Sequence, residues 1–66
     1  MRYCYDKLWK LLVDNNMKKK DLQDKTGISS STIAKMSKEL PVSIEVLARI
    51  CQTLNCSIED IIEIHY

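Results

Sequence analysis

The segment 29–38, SSSTIAKMSK, concentrates hydroxyl and ammonium groups and contains no carboxylate. Serine hydroxyls can donate or accept hydrogen bonds at the edges of bases, and lysine can reach O6 and N7 of guanine. A helix that faces only solvent usually carries both charge signs, because oppositely charged side chains pair at i,i+4. These residue types therefore favour contact with a polyanion such as duplex DNA. The side chains expected to face outward are Ser30, Ser31, Ala34, Lys35 and Lys38.

Segment 29–38, the basic run 18–20 and Trp9 each also have an interpretation that does not involve DNA. A helix that is capped by serine and merely solvated would expose the same side chains as segment 29–38. The run 18–20, KKK, fits either a solvated helix start or a phosphate contact. Trp9 could stack on a base, but its place on an apolar helical stripe favours packing in the core or at an interface.

The turn around Gly27 has to position this segment. Gly27 is the only glycine in the chain, and a left-handed conformation after a helix costs any other residue roughly 1 kcal/mol or more. Ser29 then suits the N-cap of the next helix. Leu22 before the turn, with Ile33 and Met36 after it, could fill the angle between two helices that cross at about 90–120°. The spacing predicts a helix-turn-helix, although ordinary αα-corners share it.

Further helices are predicted on both sides of this pair. A stripe at i, i+3, i+4 and i+7 predicts a first helix, carried by Tyr5, Leu8, Trp9 and Leu12. Pro41 is expected to stop the third helix, and serines are expected to cap the last two. The predicted inward residues of the fourth helix are Ile44, Leu47, Ala48 and Cys51, with Ile50 and Leu54 widening the stripe, and those of the fifth are Ile58, Ile61 and Ile62. The predicted fold is all-α, a compact bundle of five short helices without strands.

Length and composition exclude several classes of protein. Sixty-six residues predict one domain spanning 1–66. No apolar run approaches the roughly 18 residues of a membrane span, and no signal peptide is evident, so a cytoplasmic location without membrane contact is expected. A Gly-rich phosphate loop is missing, and no carboxylates pair in a plausible pocket. An enzyme is therefore not expected, nor is a cofactor or a small-molecule substrate.

The cysteines do not predict a metal site. Zinc ligation by Cys4, Cys51, Cys56 and His65 is arithmetically possible. However, C-x4-C is not a usual zinc-ligand spacing, and Cys51 falls on an apolar stripe, where cysteine behaves as a small hydrophobe. Reduced, structural thiols are the expectation.

The charges are distributed unevenly although the net charge is only +1. Residues 1–38 carry nine basic and four acidic side chains, whereas residues 39–66 carry one basic and five acidic ones. Such an asymmetry is expected when one face of a molecule meets a polyanion.

Two stretches resemble a known family. The stretch MKKKDLQDKTGISSSTIAKM, followed by VSIEVLARICQTLNCSIEDII, resembles the Xre/Cro family of phage-repressor-type helix-turn-helix regulators. The similarity is greatest to the small, nearly single-domain bacterial members, and it covers roughly residues 5–64. It implies a lambda-repressor-like domain that binds double-stranded DNA, with a recognition helix at about 30–38 in the major groove.

The resemblance also implies roles for individual residues. Ser30, Ser31 and Lys35 fall where relatives contact bases, whereas the expected phosphate contacts are Lys19, Ser29, Thr32 and Lys38. Two positions depart from the family pattern. Gln23 stands where alanine is usual, at the closest approach of the two helices, and the segment 37–41, SKELP, replaces a loop that usually contains glycine.

The resulting hypothesis is a sequence-specific transcriptional regulator, and more specifically a repressor. A single small module has limited affinity, so a homodimer on two half-sites is expected. The isoleucine-rich end offers a possible dimer surface or merely closes the core; its residues are Ile61, Ile62, Ile64 and Tyr66. The alternative is a protein-interaction module, such as an antitoxin or an accessory subunit of a mobile element.

Overall fold

The computed structural model describes all residues, 1–66, and contains four α-helices and a small sheet. The chain runs through β1 (Arg2–Cys4), α1 (Asp6–Asp14), α2 (Lys19–Thr26), α3 (Ser30–Ser37), α4 (Ile44–Leu54), a 3-10 turn (Ile58–Asp60) and β2 (Glu63–His65). The helix-turn-helix predicted around Gly27 is present as α2 and α3. None of the helices combines the length and the apolar character that crossing a membrane would require.

The two ends of the chain correct the all-α prediction. β1 pairs antiparallel with β2, with Tyr3 opposite Ile64 at the centre of the register. The predicted fifth helix is a single 3-10 turn, and the chain then extends into β2. Three-residue strands are too short to display the alternation of apolar and polar residues that identifies a strand in sequence. The mainly helical prediction therefore holds, whereas the count of five helices without strands is wrong.

One apolar core joins all four helices and Ile61, the residue after the 3-10 turn. Its ten residues are Tyr5, Leu8, Leu12, Leu22, Ile28, Ile33, Met36, Leu47, Ile50 and Ile61. The predicted inward positions of Leu22, Ile33 and Met36 are confirmed. Burial of these side chains supplies most of the stability that such a short chain can reach.

The predicted inward stripe of α4 is confirmed in part. Leu47 and Ile50 are its buried residues, whereas Ala48 is exposed and Ile44 is 71% exposed. Helical periodicity gives the side of a helix that carries apolar residues, but it does not say how far the core extends along that side. Cys51 is half-buried against the core rather than fully buried.

Each helix is followed by a residue in the left-handed conformation, and only one of these is glycine. The φ angles are 55° at Asn16, 74° at Gly27, 60° at Glu39 and 52° at Asn55. An added Cβ at Gly27 would meet no atom within 4 Å, so the requirement for glycine there is conformational rather than steric. Asparagine tolerates this region better than other residues with a Cβ, which leaves Glu39 as the costly position.

The end of α3 differs from the prediction that Pro41 stops it. The helix ends at Ser37, and the N–H groups of Glu39 and Leu40 donate to the carbonyls of Met36 (3.1 Å) and Lys35 (3.0 Å). These two bonds and the left-handed Glu39 form a Schellman turn, which ends the helix before proline can act. The Tyr5 hydroxyl fixes the following loop by donating to the Leu40 carbonyl at 2.8 Å.

Candidate nucleic-acid interface

The first turn of α3 is organised by the hydroxyl of Ser29. Its Oγ accepts from the Thr32 N–H at 3.3 Å, which confirms Ser29 as the N-cap. The same oxygen lies 2.9 Å from Oγ of Ser31 and 3.0 Å from Oγ1 of Thr32. Three hydroxyls therefore form one cluster, while the hydroxyl of Ser30 is exposed beside it.

The backbone at this end of α3 offers unpaired donors. The N–H groups of Ser30 and Ser31 have no acceptor within the protein, as is usual for the first turn of a helix. Such groups, together with the positive end of the helix dipole, favour an anion in front of them. The first turn of α3 can thus meet a phosphate without help from a charged side chain.

The outward side of α3 carries no acid. Ile33 and Met36 are buried, at 8% and 1% exposure, so the opposite side of the helix faces solvent. We call this side the α3 surface, and it consists of the exposed residues Ser30, Ser31, Ala34, Lys35 and Lys38. The structure thus brings the three predicted base-contacting residues and Lys38 onto one surface.

The salt bridges of the molecule leave this surface untouched. They join Arg2 to Glu39 (3.2 Å), Lys7 to Glu63 (3.8 Å) and Arg49 to Glu45 (2.8 Å), and Nε2 of His65 lies 3.0 Å from a carboxylate oxygen of Glu63. None of the lysines from Lys10 to Lys38 has a carboxylate within 4.0 Å. Glu39, the carboxylate that follows α3, is itself held by Arg2. The positive charge of α2 and α3 therefore remains available to an external anion.

Lys19 lies at the junction of three helices. Its Nζ lies 4.2 Å from the centroid of the Trp9 ring on α1. The same atom donates to Oγ of Ser37, the last residue of α3, at 3.0 Å. Sequence reasoning treated Trp9 and Lys19 separately and overlooked Ser37, because no pattern along the chain links residues that belong to three different helices.

The structure also shows the two positions that depart from the family pattern, Gln23 and the segment 37–41. Gln23 is half-buried and its side chain makes no hydrogen bond within the protein. In the segment 37–41, Glu39 adopts the left-handed conformation that a glycine would adopt more easily. The loop after α3 thus keeps a left-handed turn without a glycine.

A second surface lies on the side of the sheet. A groove runs between the two strands, the start of α4 and the 3-10 turn, and we call it the apolar groove. Its lining includes Tyr3, Pro41, Ile44, Ile58, Ile62 and Ile64. Of the residues predicted at a dimer surface, Ile61 is fully buried in the core, Ile62 is half-buried, and Ile64 and Tyr66 are 42% and 96% exposed.

The two groups with a shifted pKa, Tyr5 and Cys56, are not part of the α3 surface. Burial raises the pKa of the Tyr5 hydroxyl. Burial and the adjacent thiol of Cys51 raise the pKa of Cys56, which makes that thiol a weaker nucleophile. The cysteines are all reduced, and no three acidic, histidine or cysteine side chains gather in a way that could hold a metal ion. The α3 surface is equipped for hydrogen bonding and charge attraction.

Comparisons with known proteins agree with this geometry. Residues 7–65 match the family profile of the Cro/C1-type HTH DNA-binding domain. The crystal structure of the transcriptional regulator VanUg (Form II) is similar to this chain, with a TM-score of 0.91 and 53% sequence identity. The match covers 94% of this chain and 83% of that one. No curated protein matches the sequence significantly.

Proposed function

The chain belongs to the Cro/C1-type helix-turn-helix DNA-binding family, and we propose that it acts with α3 in the major groove of duplex DNA. It is a DNA-binding regulator of transcription. The observation that supports this placement of α3 is its outward surface, which is free of acids and carries two lysines without salt-bridge partners. The major groove is wide enough for a helix, and the phosphates on both sides of it attract positive charge.

Ser30, Ser31 and Lys35 read bases in this proposal. Lys35 projects from the middle of the α3 surface, where an ammonium can reach O6 and N7 of guanine. The hydroxyl of Ser30 is free of protein partners, whereas that of Ser31 is oriented by Ser29 at 2.9 Å. A serine hydroxyl can serve as hydrogen-bond donor or acceptor, so Ser30 and Ser31 would tolerate several different bases. Lys35 would then contribute most to the discrimination between bases.

Contacts with phosphate position the helix in the groove. Lys19 and Lys38 supply the charge, at the start of α2 and at the C-cap of α3. Ser29 and Thr32 lie at the first turn of α3, where the free N–H groups of the backbone point outward. The hydroxyl cluster holds that turn in helical geometry, so a phosphate meets an already formed site.

The regulator acts as a homodimer in this proposal, with the apolar groove as its interface. Three of the exposed large apolar side chains, Ile44, Ile58 and Ile64, line this one groove. A second copy would remove them from water, and a twofold dimer reads two inverted half-sites about one helical turn apart. Two modules also compensate for the limited affinity of one.

Repression is the favoured direction of regulation, and the cytoplasm the favoured location. A bound dimer of this size would block access of other proteins to the same duplex. Repression by binding to DNA requires no catalysis, no cofactor and no small-molecule substrate. The protein-interaction alternative is not favoured, because the matched family binds DNA and the match spans most of the chain.

Selection of bound duplexes from a random pool tests the proposal. We expect enrichment of two inverted half-sites separated by about one helical turn. Enrichment of single half-sites would retain DNA binding and contradict the dimer. No enrichment of any duplex at micromolar protein would contradict α3 as a reader of DNA, and a stoichiometric co-purified protein would then favour the interaction module.

A further inference from the structure

The start of α2 carries an ammonium group that is held from two sides. Nζ of Lys19 lies 4.2 Å from the centroid of the Trp9 ring and donates to Oγ of Ser37 at 3.0 Å. Oγ of Ser37 in turn donates to the Ile33 carbonyl at 3.1 Å, which fixes the hydroxyl in place. Three helices thus determine the position of one charge.

We propose that Trp9 and Ser37 are positioning residues, which hold the ammonium of Lys19 ready for a DNA phosphate. This inference rests on the proposed function, and it assigns a role to two residues outside the α3 surface. The lysine is exposed although it is held. An ammonium has three N–H donors, so after the bond to Ser37 and the contact with the ring it keeps a donor for an external oxygen.

The main argument for this role is that the two groups in contact with the Lys19 ammonium, the Trp9 ring and the Ser37 hydroxyl, are uncharged. A carboxylate would fix a lysine equally well, but it would cancel the charge that a phosphate needs. The indole ring attracts the cation through its quadrupole, and the hydroxyl accepts one hydrogen bond, while both leave the net charge unchanged. No carboxylate lies within 4.0 Å of Lys19. The site therefore orients the charge without neutralising it.

Holding the lysine in advance should raise affinity. A free lysine loses rotamer freedom when it binds, which costs about two- to tenfold in affinity for one ordered side chain. The ring that holds it is itself fixed, since Trp9 is half-buried and packs against the core. Because Trp9 and Ser37 already restrict the Lys19 side chain in the folded protein, part of its conformational entropy is lost during folding rather than during DNA binding.

A double-mutant cycle on duplex affinity tests this role, with Trp9→Leu, Lys19→Gln and the combined variant. Duplexes come from the random-pool selection, and affinity is followed by fluorescence anisotropy. We expect Lys19→Gln to lower affinity about tenfold and to reduce the slope of log K against log salt by about 0.9. Trp9→Leu should lower affinity about fivefold when Lys19 is present and have no effect in the Lys19→Gln background.

Two milder variants keep the test valid if Trp9→Leu fails to fold. Trp9→Phe keeps an aromatic face and should lower affinity by about twofold, and Ser37→Ala, which removes only the hydroxyl, should do the same. Circular dichroism reports whether each variant is folded under the binding conditions.

Different results would overturn different claims. If Trp9→Leu and Lys19→Gln act independently on affinity, the contact between them has only a structural role and this inference is wrong. If Lys19→Gln leaves affinity and salt slope unchanged, Lys19 does not touch phosphate, and the inference is wrong as well. If the unmodified protein binds no duplex, the proposed function itself fails.

Discussion

The α3 surface and the apolar groove differ in the kind of partner they fit. The α3 surface is made of small residues and lysines, none of which forms a salt bridge, whereas the groove is lined almost entirely by apolar side chains. The salt bridges of the molecule involve residues of the strands, α1, α4 and the loop after α3. Charge is thus left free where a polyanion is proposed, and apolar area is left free where a protein is proposed.

The comparison shows how a small domain can keep two interactions separate. A hydrated polyanion is attracted by unpaired charge, whereas a protein partner gains mainly from burial of apolar area. The two surfaces approach each other at the loop 38–41, where the left-handed Glu39 ends α3 and Pro41 already lines the groove. Substitutions on the two surfaces should therefore affect different measurements.

The largest effect is expected on the α3 surface. Lys35→Ala should weaken binding to the selected duplex by about 1–3 kcal/mol and relax discrimination at one base position, because a contact with a base edge is lost. The measurement is anisotropy with the selected duplex and its single-base variants. The matched control is Lys10→Ala, which removes another exposed lysine, on α1. If Lys35→Ala weakens all sequences alike, Lys35 contacts phosphate instead of bases.

A substitution in the apolar groove should reduce DNA affinity by a similar amount, but only for binding of the dimer to two half-sites. Ile44→Asp places a charge at the proposed interface and should lower affinity for the two-half-site duplex by about tenfold or more, since a buried unpaired charge is costly. Affinity for a single half-site should not change. The control is Gln52→Asp, which adds the same charge at an exposed position of α4 outside the groove. Equal losses in both variants would argue against the groove as the interface.

The turn before α3 gives a smaller, purely structural effect. Gly27→Ala should lower the free energy of unfolding by about 1 kcal/mol, because φ is 74° there and a Cβ is strained in that region. The added methyl meets no atom within 4 Å, so no steric clash adds to this cost. Urea unfolding measures the change. A loss of several kcal/mol would mean that the turn also packs against something the structure does not bring near it.

The turn after α3 should respond in the opposite direction and least of all. Glu39→Gly relieves the left-handed strain, at about 1 kcal/mol, but it loses the exposed pair with Arg2, worth up to about 1 kcal/mol. We expect a net gain of a few tenths of a kcal/mol in urea unfolding. Glu39→Gln is the control, since it keeps the Cβ and removes only the charge. A lower stability for Glu39→Gly than for Glu39→Gln would show that strain at this turn is unimportant.

Much of the helix-turn-helix was predictable because local rules determine it. Gly27 and Ser29 act within one turn of their own positions, and Leu22, Ile33 and Met36 follow helical periodicity into the core. The predicted site residues Ser30, Ser31, Lys35 and Lys38 share one exposed surface for the same reason, whereas Thr32 is half-buried, and their contacts with DNA remain a prediction.

The features that sequence reasoning missed depend on contacts between distant residues. β1 and β2 exist because the two ends of the chain meet, with Arg2 opposite His65. The left-handed Glu39 has no local preference that would reveal it, and the contact of Lys19 with Trp9 and Ser37 needs three helices at once. Such features require the fold before they can be recognised.

The salt dependence of duplex binding tests the central claim, that α3 and its lysines meet the phosphates of DNA, most directly. Affinity for the selected duplex should fall as salt rises, with a log–log slope of about −2 per half-site if Lys19 and Lys38 each neutralise one phosphate. Replacing both lysines by glutamine should flatten the slope by that amount. A flat response of the unmodified protein, or an unchanged slope after both replacements, would contradict the claim.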